Sequence, residues 1–227
     1  MTDFVLVHGG AHGAWCWERL VPHLASDSRV GAVVAVDLRG HGARRGDGGL
    51  EGITVADYVD DVVGEIEGRD LADVVLVGHS LAGITTPRVA QRVGDRVRRL
   101  VHLSTSNPPV GQSIADLMEH PLSPVSRGAD FRRMFCNDLD DDTVAWLLAR
   151  LEREPPGPMT ERVPPVALPP GLATTYILLE RDEALPPAYQ REQARNAGVD
   201  EVVPFDAGHS AFLSRPRELA ELLLRYA

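Results

Sequence analysis

VVLVGHSLAG, residues 74–83, joins an apolar, largely β-branched run to a serine set among small residues. Such a run reads as a strand covered on both faces. It stops at Gly78, and Ser80 follows between His79 and Leu81. A serine at a strand-to-helix junction fits a sharp turn that lifts its hydroxyl above the sheet. The constraint is steric. In so tight a turn the residues two before and two after the serine crowd the neighbouring backbone, and here they are Gly78 and Ala82, with Gly83 next. Glycine is usual at the second of these places, so Ala82 adds one methyl. A helix starting at Leu81 would aim its N-terminal dipole at developing negative charge.

Outward from this turn, apolar runs alternate with helical patterns. Strands are predicted over Phe4–Val7, Gly31–Val36, Val74–Val77, Val97–Leu103, Thr175–Leu179 and Glu201–Pro204. Helices are predicted over Trp17–Ser26, Val55–Glu67, Leu81–Val93, Pro187–Ala197 and Arg217–Tyr226, where Leu219, Leu222 and Leu223 recur at helical spacing. This alternation predicts an α/β fold with a mainly parallel sheet and helices on both faces. Ligands of such sheets sit beyond the carboxyl ends of the strands. Residues 107–170 break the pattern: they hold the proline-rich REPPGPMTERVPPVALPP and an amphipathic stretch, Asp142–Arg153. They read as a small helical lid inserted in a core of residues 1–106 and 171–227, because the chain after 170 is too short for a second independent core.

Composition narrows the chemistry. The 227 residues are 44% hydrophobic and 25% charged, which suits one globular domain, and the net charge of −10 disfavours nucleic acid and anionic membrane as partners. All 23 basic residues are arginine. The absence of lysine removes Schiff-base chemistry, Ser–Lys dyads and phosphate-cradling P-loops together. Two cysteines, Cys16 and Cys136, without a CxxC pair, argue against a disulfide framework or a Cys-based zinc site. The start MTDFVLVHGG lacks the charged region of a signal peptide, and no segment reaches the roughly 20 apolar residues of a membrane span, so a cytoplasmic location is expected.

A serine hydroxyl needs a base, the base an orienting carboxylate, and the reacting carbonyl an oxyanion site. DAGHSAF places His209 in a loop after the last strand, which makes it the candidate base. YILLERDEAL puts Glu180, Asp182 and Glu183 just past a strand end; Asp182 is the candidate acid, with Glu180 and Glu183 as fallbacks and Asp206 as a weaker rival. The strand Val97–Leu103 is followed by Ser104 and Thr105 but no acid. The order Ser, Asp, His then matches that of an α/β sheet carrying a nucleophile turn. In VLVHGGAHGAW, glycines leave backbone N–H groups unobstructed, and Gly10 with Leu81 is the expected donor pair.

FVLVHGGAHGAWCW, DLRGHG, GHSLAG, RDEALPP and the late GHS together resemble the α/β-hydrolase superfamily. More narrowly they are similar to the small cofactor-free esterases grouped with plant methylesterases, hydroxynitrile lyases and EstC-like or pyrethroid-type esterases. The resemblance spans nearly the whole chain and is weakest in the lid. It implies a three-layer α/β-hydrolase fold, Ser80, Asp182 and His209 as a catalytic triad, and Gly10 and Leu81 as oxyanion donors. The chain starts at the strand that family counts third, so about six strands are expected, without the usual N-terminal hairpin.

The resulting expectation is a serine hydrolase of carboxylesterase type. It would cleave a small-to-medium, fairly apolar ester or thioester through an acyl-enzyme, with no cofactor and no metal. The pocket is expected to involve Gly9, Ala11, His79, Leu81, Ile114, Leu117, Met118, Trp146 and Leu147, with packing of the lid as the other reading of Trp146 and Leu147. His8 and His12 are expected to brace the oxyanion loop, and His41 the turn after Asp37. Three rivals remain: acyl transfer or cyclisation by the same triad, a lyase, and a ligand receptor. The hydroxynitrile-lyase branch carries threonine where this chain has Gly9 and lysine where it has Ser210. Ser80 in place of aspartate excludes epoxide and haloalkane hydrolysis as the main activity. A homodimer is compatible with the sequence, which does not set the oligomeric state.

Overall fold

A computed structural model describes residues 1–46 and 49–227. The strands are β1 (Thr2–Val7), β2 (Val30–Val36), β3 (Val74–His79), β4 (Val97–Leu103), β5 (Ala173–Leu179) and β6 (Glu201–Phe205). They form one sheet in the order β2-β1-β3-β4-β5-β6, and every pairing is parallel. Each predicted strand is present, lengthened by up to two residues at an end.

The helices are α1 (Val21–Ala25), α2 (Val55–Gly68), α3 (Thr86–Arg92), α4 (Ile114–Met118), α5 (Phe131–Cys136), α6 (Asp141–Leu148), α7 (Pro156–Thr160), α8 (Pro187–Ala197), α9 (Ala211–Ser214) and α10 (Pro216–Leu223). Two predicted helices are broken. The stretch 17–26 becomes a 3-10 turn, Ala14–Trp17, followed by α1, and the stretch 81–93 becomes a 3-10 turn, Ser80–Ile84, followed by α3. In both cases a proline, Pro22 or Pro87, sits in the first turn of the new helix. Proline has no N–H and clashes inside a continuous helix, whereas its fixed φ suits a first turn. The single long helix expected behind Ser80 is therefore corrected to a short turn and an offset helix.

Alternate residues of the strands feed two cores. Phe4, Leu6, Val75, Val77, Val101, Leu103, Ile177 and Leu179 pack with Trp17, Leu20, Phe212 and Leu219. Val5, Val7, Val34, Val36, Leu76 and Leu100 pack with Tyr58, Val62, Ile66 and Val89 on the other face. This is the period-2 alternation of a sheet buried on both sides, and the non-polar burial on each face is the main stabilising term. The chain first lays β2 beside β1 and then crosses to place β3 on the other side, with Val7 opposite Gly78. The loops after β1 and β3 thus leave the sheet side by side at its switch point, where open α/β sheets bind ligands.

Residues 107–170 carry α4 to α7 over the carboxyl edge. The predicted amphipathic stretch 142–153 is helical only as α6, whose N-terminus is capped by Asp140 accepting from Thr143 N–H at 2.8 Å. Among the described residues no helix is long and apolar enough to cross a membrane.

Candidate active site

Ser80 sits at the junction of β3 and the 3-10 turn with φ +51°, a left-handed conformation that costs a non-glycine residue about 1–2 kcal/mol. Its carbonyl accepts from Ser106 N–H at 2.8 Å. The small residues around it are required by contact. A Cβ on Gly78 would lie 2.7 Å from Thr86 Oγ1 and 3.3 Å from Ala82 Cβ, and one on Gly9 would lie 2.7 Å from Ser80 Cβ. Ala82 itself fits, almost fully buried.

Asp182 and His209 form a buried pair: His209 Nδ1 donates to Asp182 Oδ2 at 2.7 Å. Asp182 also accepts from Ser104 Oγ at 2.7 Å and, through Oδ1, from the N–H groups of Ala184 at 2.7 Å and Leu185 at 2.8 Å. The neighbouring acids point elsewhere: Glu183 pairs with Arg133, Asp206 with Arg181, and Glu180 is exposed. His79 lies behind the serine, fully buried, and its Nε2 donates to the His209 carbonyl at 3.0 Å with the two rings 4.5 Å apart. With Nδ1 of His209 turned to the carboxylate, its Nε2 is the nitrogen left for another partner. No hydrogen bond joins it to Ser80 among the described residues; such contacts are commonly loose before substrate binds and tighten with it.

The insertion holds this pair from outside. Phe135 of α5 stacks on the His209 ring at 5.4 Å, and its carbonyl accepts from Ser210 Oγ at 2.7 Å. Asp138 accepts from Gly208 N–H at 2.6 Å, and Asn137 Nδ2 donates to the Arg181 carbonyl at 2.7 Å.

Gly10 and Leu81 lie against each other across the two loops, for a Cβ on Gly10 would be 3.3 Å from Leu81 Cδ2. The first N–H groups of a helical turn have no internal partner, which leaves Leu81 N–H available. As expected, histidines brace the first loop: His8 Nδ1 donates to the Gly9 carbonyl at 2.8 Å and His12 Nδ1 to the Gly10 carbonyl at 2.7 Å. Burial pushes His12 down to about 4 and His8 and His79 well below the usual imidazole range, so all three rings are neutral.

A cavity of about 310 Å³ opens above Ser80. It is lined by Ala11, Leu81, Ile114, Leu117 and Met118, as the sequence suggests, and also by Gly10, Phe131, Met134, Phe135, Glu154, Met159, Leu185 and Tyr189. Four expected lining residues are corrected. Leu147 is fully buried in the core below α6, and Trp146 packs on that core against Trp15 at 5.3 Å. Gly9 is pressed against the Ser80 backbone, and His79 is covered by Phe212 and His209. Among the described residues no group of three or more His, Cys, Asp or Glu side chains is placed to hold a metal ion. Glu154 was not foreseen; it stands in EREPP, where no periodicity marks an inward residue.

The pattern that defines the alpha/beta hydrolase family matches residues 4–222. The carbendazim hydrolyzing esterase of Nocardioides sp. (strain SG-4G) is 30% identical, with 98% of each chain covered. Methylesterase 9 of Arabidopsis thaliana is 29% identical over all of this chain and 98% of its own. An extracellular alpha/beta-hydrolase from a Paenibacillus species, described as sharing structural and functional homology with tobacco salicylic acid binding protein 2, superimposes with a TM-score of 0.83 at 25% identity, covering 100% of this chain and 99% of its own. The chain belongs to the alpha/beta hydrolase family.

Proposed function

We propose that Ser80, Asp182 and His209 are the triad by which this carboxylesterase-type hydrolase cleaves a small-to-medium, fairly apolar carboxylic ester. The observation that carries this reading is the strained Ser80 turn at the cavity floor, one residue from a His79 that is bonded to the His209 loop.

His209 Nε2 takes the proton of Ser80 as its oxygen bonds to the ester carbonyl carbon. Asp182 holds the Nδ1–H tautomer and stabilises the imidazolium. The oxyanion is met by the N–H groups of Gly10 and Leu81; losing one such donor typically costs about 10²–10³ in rate. The tetrahedral intermediate collapses, the C–O bond breaks, and the alcohol leaves with the proton from His209. Water then adds to the acyl-enzyme by the same steps and frees the acid and Ser80. No step calls for a cofactor.

The substrate class follows from the wall. Ile114, Leu117, Met118, Met134, Phe135 and Met159 present apolar side chains, and a cavity of about 310 Å³ is at the small end for a ligand site. Residues 107–170 serve as its lid. The free, buried cysteines suit a cytoplasmic setting.

Ser80→Ala should fold normally and lose nearly all hydrolysis of p-nitrophenyl esters, and a fluorophosphonate should add to Ser80 alone in the mass spectrum of the wild type. Full turnover in that variant, or labelling at another serine, would end the triad reading.

A further inference from the structure

A second buried imidazole–carboxylate pair lies beside the same cavity, and the mechanism above does not use it. Glu154 lines the cavity with Ser80 and Gly10, yet its side chain is only 13% exposed. Its Oε2 accepts from the Ala11 N–H at 2.8 Å and from His41 Nε2 at 3.0 Å, and its Oε1 accepts from the Tyr58 hydroxyl at 2.8 Å. The Ala11 carbonyl accepts from Glu152 N–H at 2.9 Å. Ala11, at φ +61°, is therefore gripped at both backbone groups by the irregular segment that follows α6 within the insertion. A Cβ on Gly10 would lie 3.4 Å from Glu154 Oε2, so the carboxylate borders the place where the oxyanion would form.

A bare negative charge there would oppose the transition state. The His41 ring supplies the balance. With Glu154 as a carboxylate, both ring nitrogens face oxygens that can only accept: Nε2 faces Glu154, and Nδ1 faces the Arg39 carbonyl at 3.3 Å. Both bonds exist together only if the ring carries two protons. His8, 5.1 Å away, is the contrast: its Nδ1 donates to Gly9, while its Nε2 accepts from Leu38 N–H, which defines a neutral ring.

We infer that Glu154 and His41 form a charge-balanced carboxylate–imidazolium pair that positions the oxyanion loop through Ala11, so that Gly10 N–H meets the oxyanion without an uncompensated charge beside it. This rests on the oxyanion role of Gly10 proposed above. The groups facing His41 agree with it. Burial pushes the ring down, but the Glu154 hydrogen bond and charge, with Glu152 beyond, raise it overall. Glu152 is itself tied to Arg45 and to Gly42 N–H, the Arg39 guanidinium is spent on Asp57 and Asp61, and Arg44 on Asp61. Burial and then Glu154 push the Tyr58 phenol up, which keeps it a donor.

The sign of the pH effect follows. As pH rises through the elevated His41 value, the ring loses its proton, Glu154 is left negative, and kcat falls. Glu154→Gln removes that dependence, because the amide oxygen can accept from Ala11 and His41 while its N–H₂ donates to the Tyr58 oxygen. The experiment measures kcat and KM for p-nitrophenyl butyrate from about pH 6 to 10 in four variants: Glu154→Ala, Glu154→Gln, His41→Phe and His41→Phe/Glu154→Gln. Glu154→Ala and His41→Phe should each lower kcat about 10- to 100-fold with KM within about threefold, taking a donor-loss effect as the upper bound. Glu154→Gln should recover most of the loss seen in Glu154→Ala and flatten the alkaline limb. The double variant should exceed His41→Phe at least fivefold.

Equal losses in His41→Phe and the double variant, or an unchanged alkaline limb in Glu154→Gln, would overturn the proposal. Should the His41 variants fail to fold, ¹⁵N spectra of the wild type at neutral pH decide it: one imidazole that shifts in Glu154→Gln should carry protons on both nitrogens, and a singly protonated ring refutes the pair. That spectrum does not depend on Ser80, so it fails separately from the triad.

Discussion

Two histidine–carboxylate pairs flank the Ser80 turn, and they differ at one nitrogen. His209 gives Nδ1–H to Asp182 and its Nε2 has no hydrogen-bond partner among the described residues, whereas His41 has an acceptor at each nitrogen. Both are buried, both are paired at 3.0 Å or less, and both lean on residues of the insertion. The difference decides what each can do. A ring with one open nitrogen can accept and return a proton, while a ring engaged twice is an anchor whose charge offsets its partner. Their carboxylates differ in parallel. Asp182 is ringed by a hydroxyl and two backbone N–H groups from its own side of the sheet. Glu154 joins four separate parts of the chain: the loop after β1, the loop after β2, α2 and the return of the insertion.

The largest effect should come from removing the Asp182 charge. Asp182→Asn keeps the shape but presents an amide to His209 and favours the wrong tautomer, so kcat should fall by about 10⁴. The same change of acid to amide at Glu154 should leave far more activity and alter mainly the alkaline limb. If the two amides were equally damaging, the division into base and anchor would fail. Burst and steady-state kinetics of the two variants on one p-nitrophenyl ester make the comparison.

A third class of histidine sharpens the point through stability. Burial pushes His12 and His102 down to about 4, and His8 and His79 lower than usual as well. The unfolded chain binds these protons near pH 6.5, the folded chain only below them. Stability from keeping the rings neutral is therefore complete above about pH 6.5 and lost as pH falls toward 4. His12 and His102 should each remove roughly 2 kcal/mol by about pH 5. His41 acts in the opposite direction: its raised value stabilises at low pH, and that contribution is lost on the alkaline side. Urea unfolding at pH 7 and pH 5 should show a large drop in midpoint, and a level midpoint would mean that these rings are charged or solvated in the fold.

How far the sequence alone leads depends on what holds each part. The six strands are legible because consecutive valines and leucines can only be covered on both faces, and the Ser80 turn because Gly78 leaves no room for a side chain against Thr86 and Ala82. Asp182 could be named among Glu180, Asp182 and Glu183, yet what separates them is an inward turn closed by two N–H bonds, which composition does not record. Two predicted helices are interrupted before Pro22 and Pro87, because a proline starts a helix where apolar periodicity alone would run one through. The insertion was least legible. Its grip on the site runs through single bonds from side chain to backbone, such as Glu154 to Ala11 and Asp138 to Gly208, and bonds of that kind have no period.

The smallest effect should come from the helix between the two grips. α6 connects the α5 end that stacks on His209 with the irregular segment that carries Glu154, and Trp146 fastens it to Trp15 at 5.3 Å under the Arg150 guanidinium at 4.3 Å. Trp146→Leu should lower stability by about 1–2 kcal/mol through lost aromatic packing and cation–π contact. Because each pair is pinned by its own hydrogen bonds on either side of α6, kcat should change less than about threefold, and preference for ester chain length should not move, since Trp146 lies outside the cavity. Thermal unfolding together with a panel of p-nitrophenyl esters reads both quantities. A kcat loss on the scale of the Glu154→Ala variant would mean that the two pairs are coupled through α6 and that the base and the anchor work as one unit.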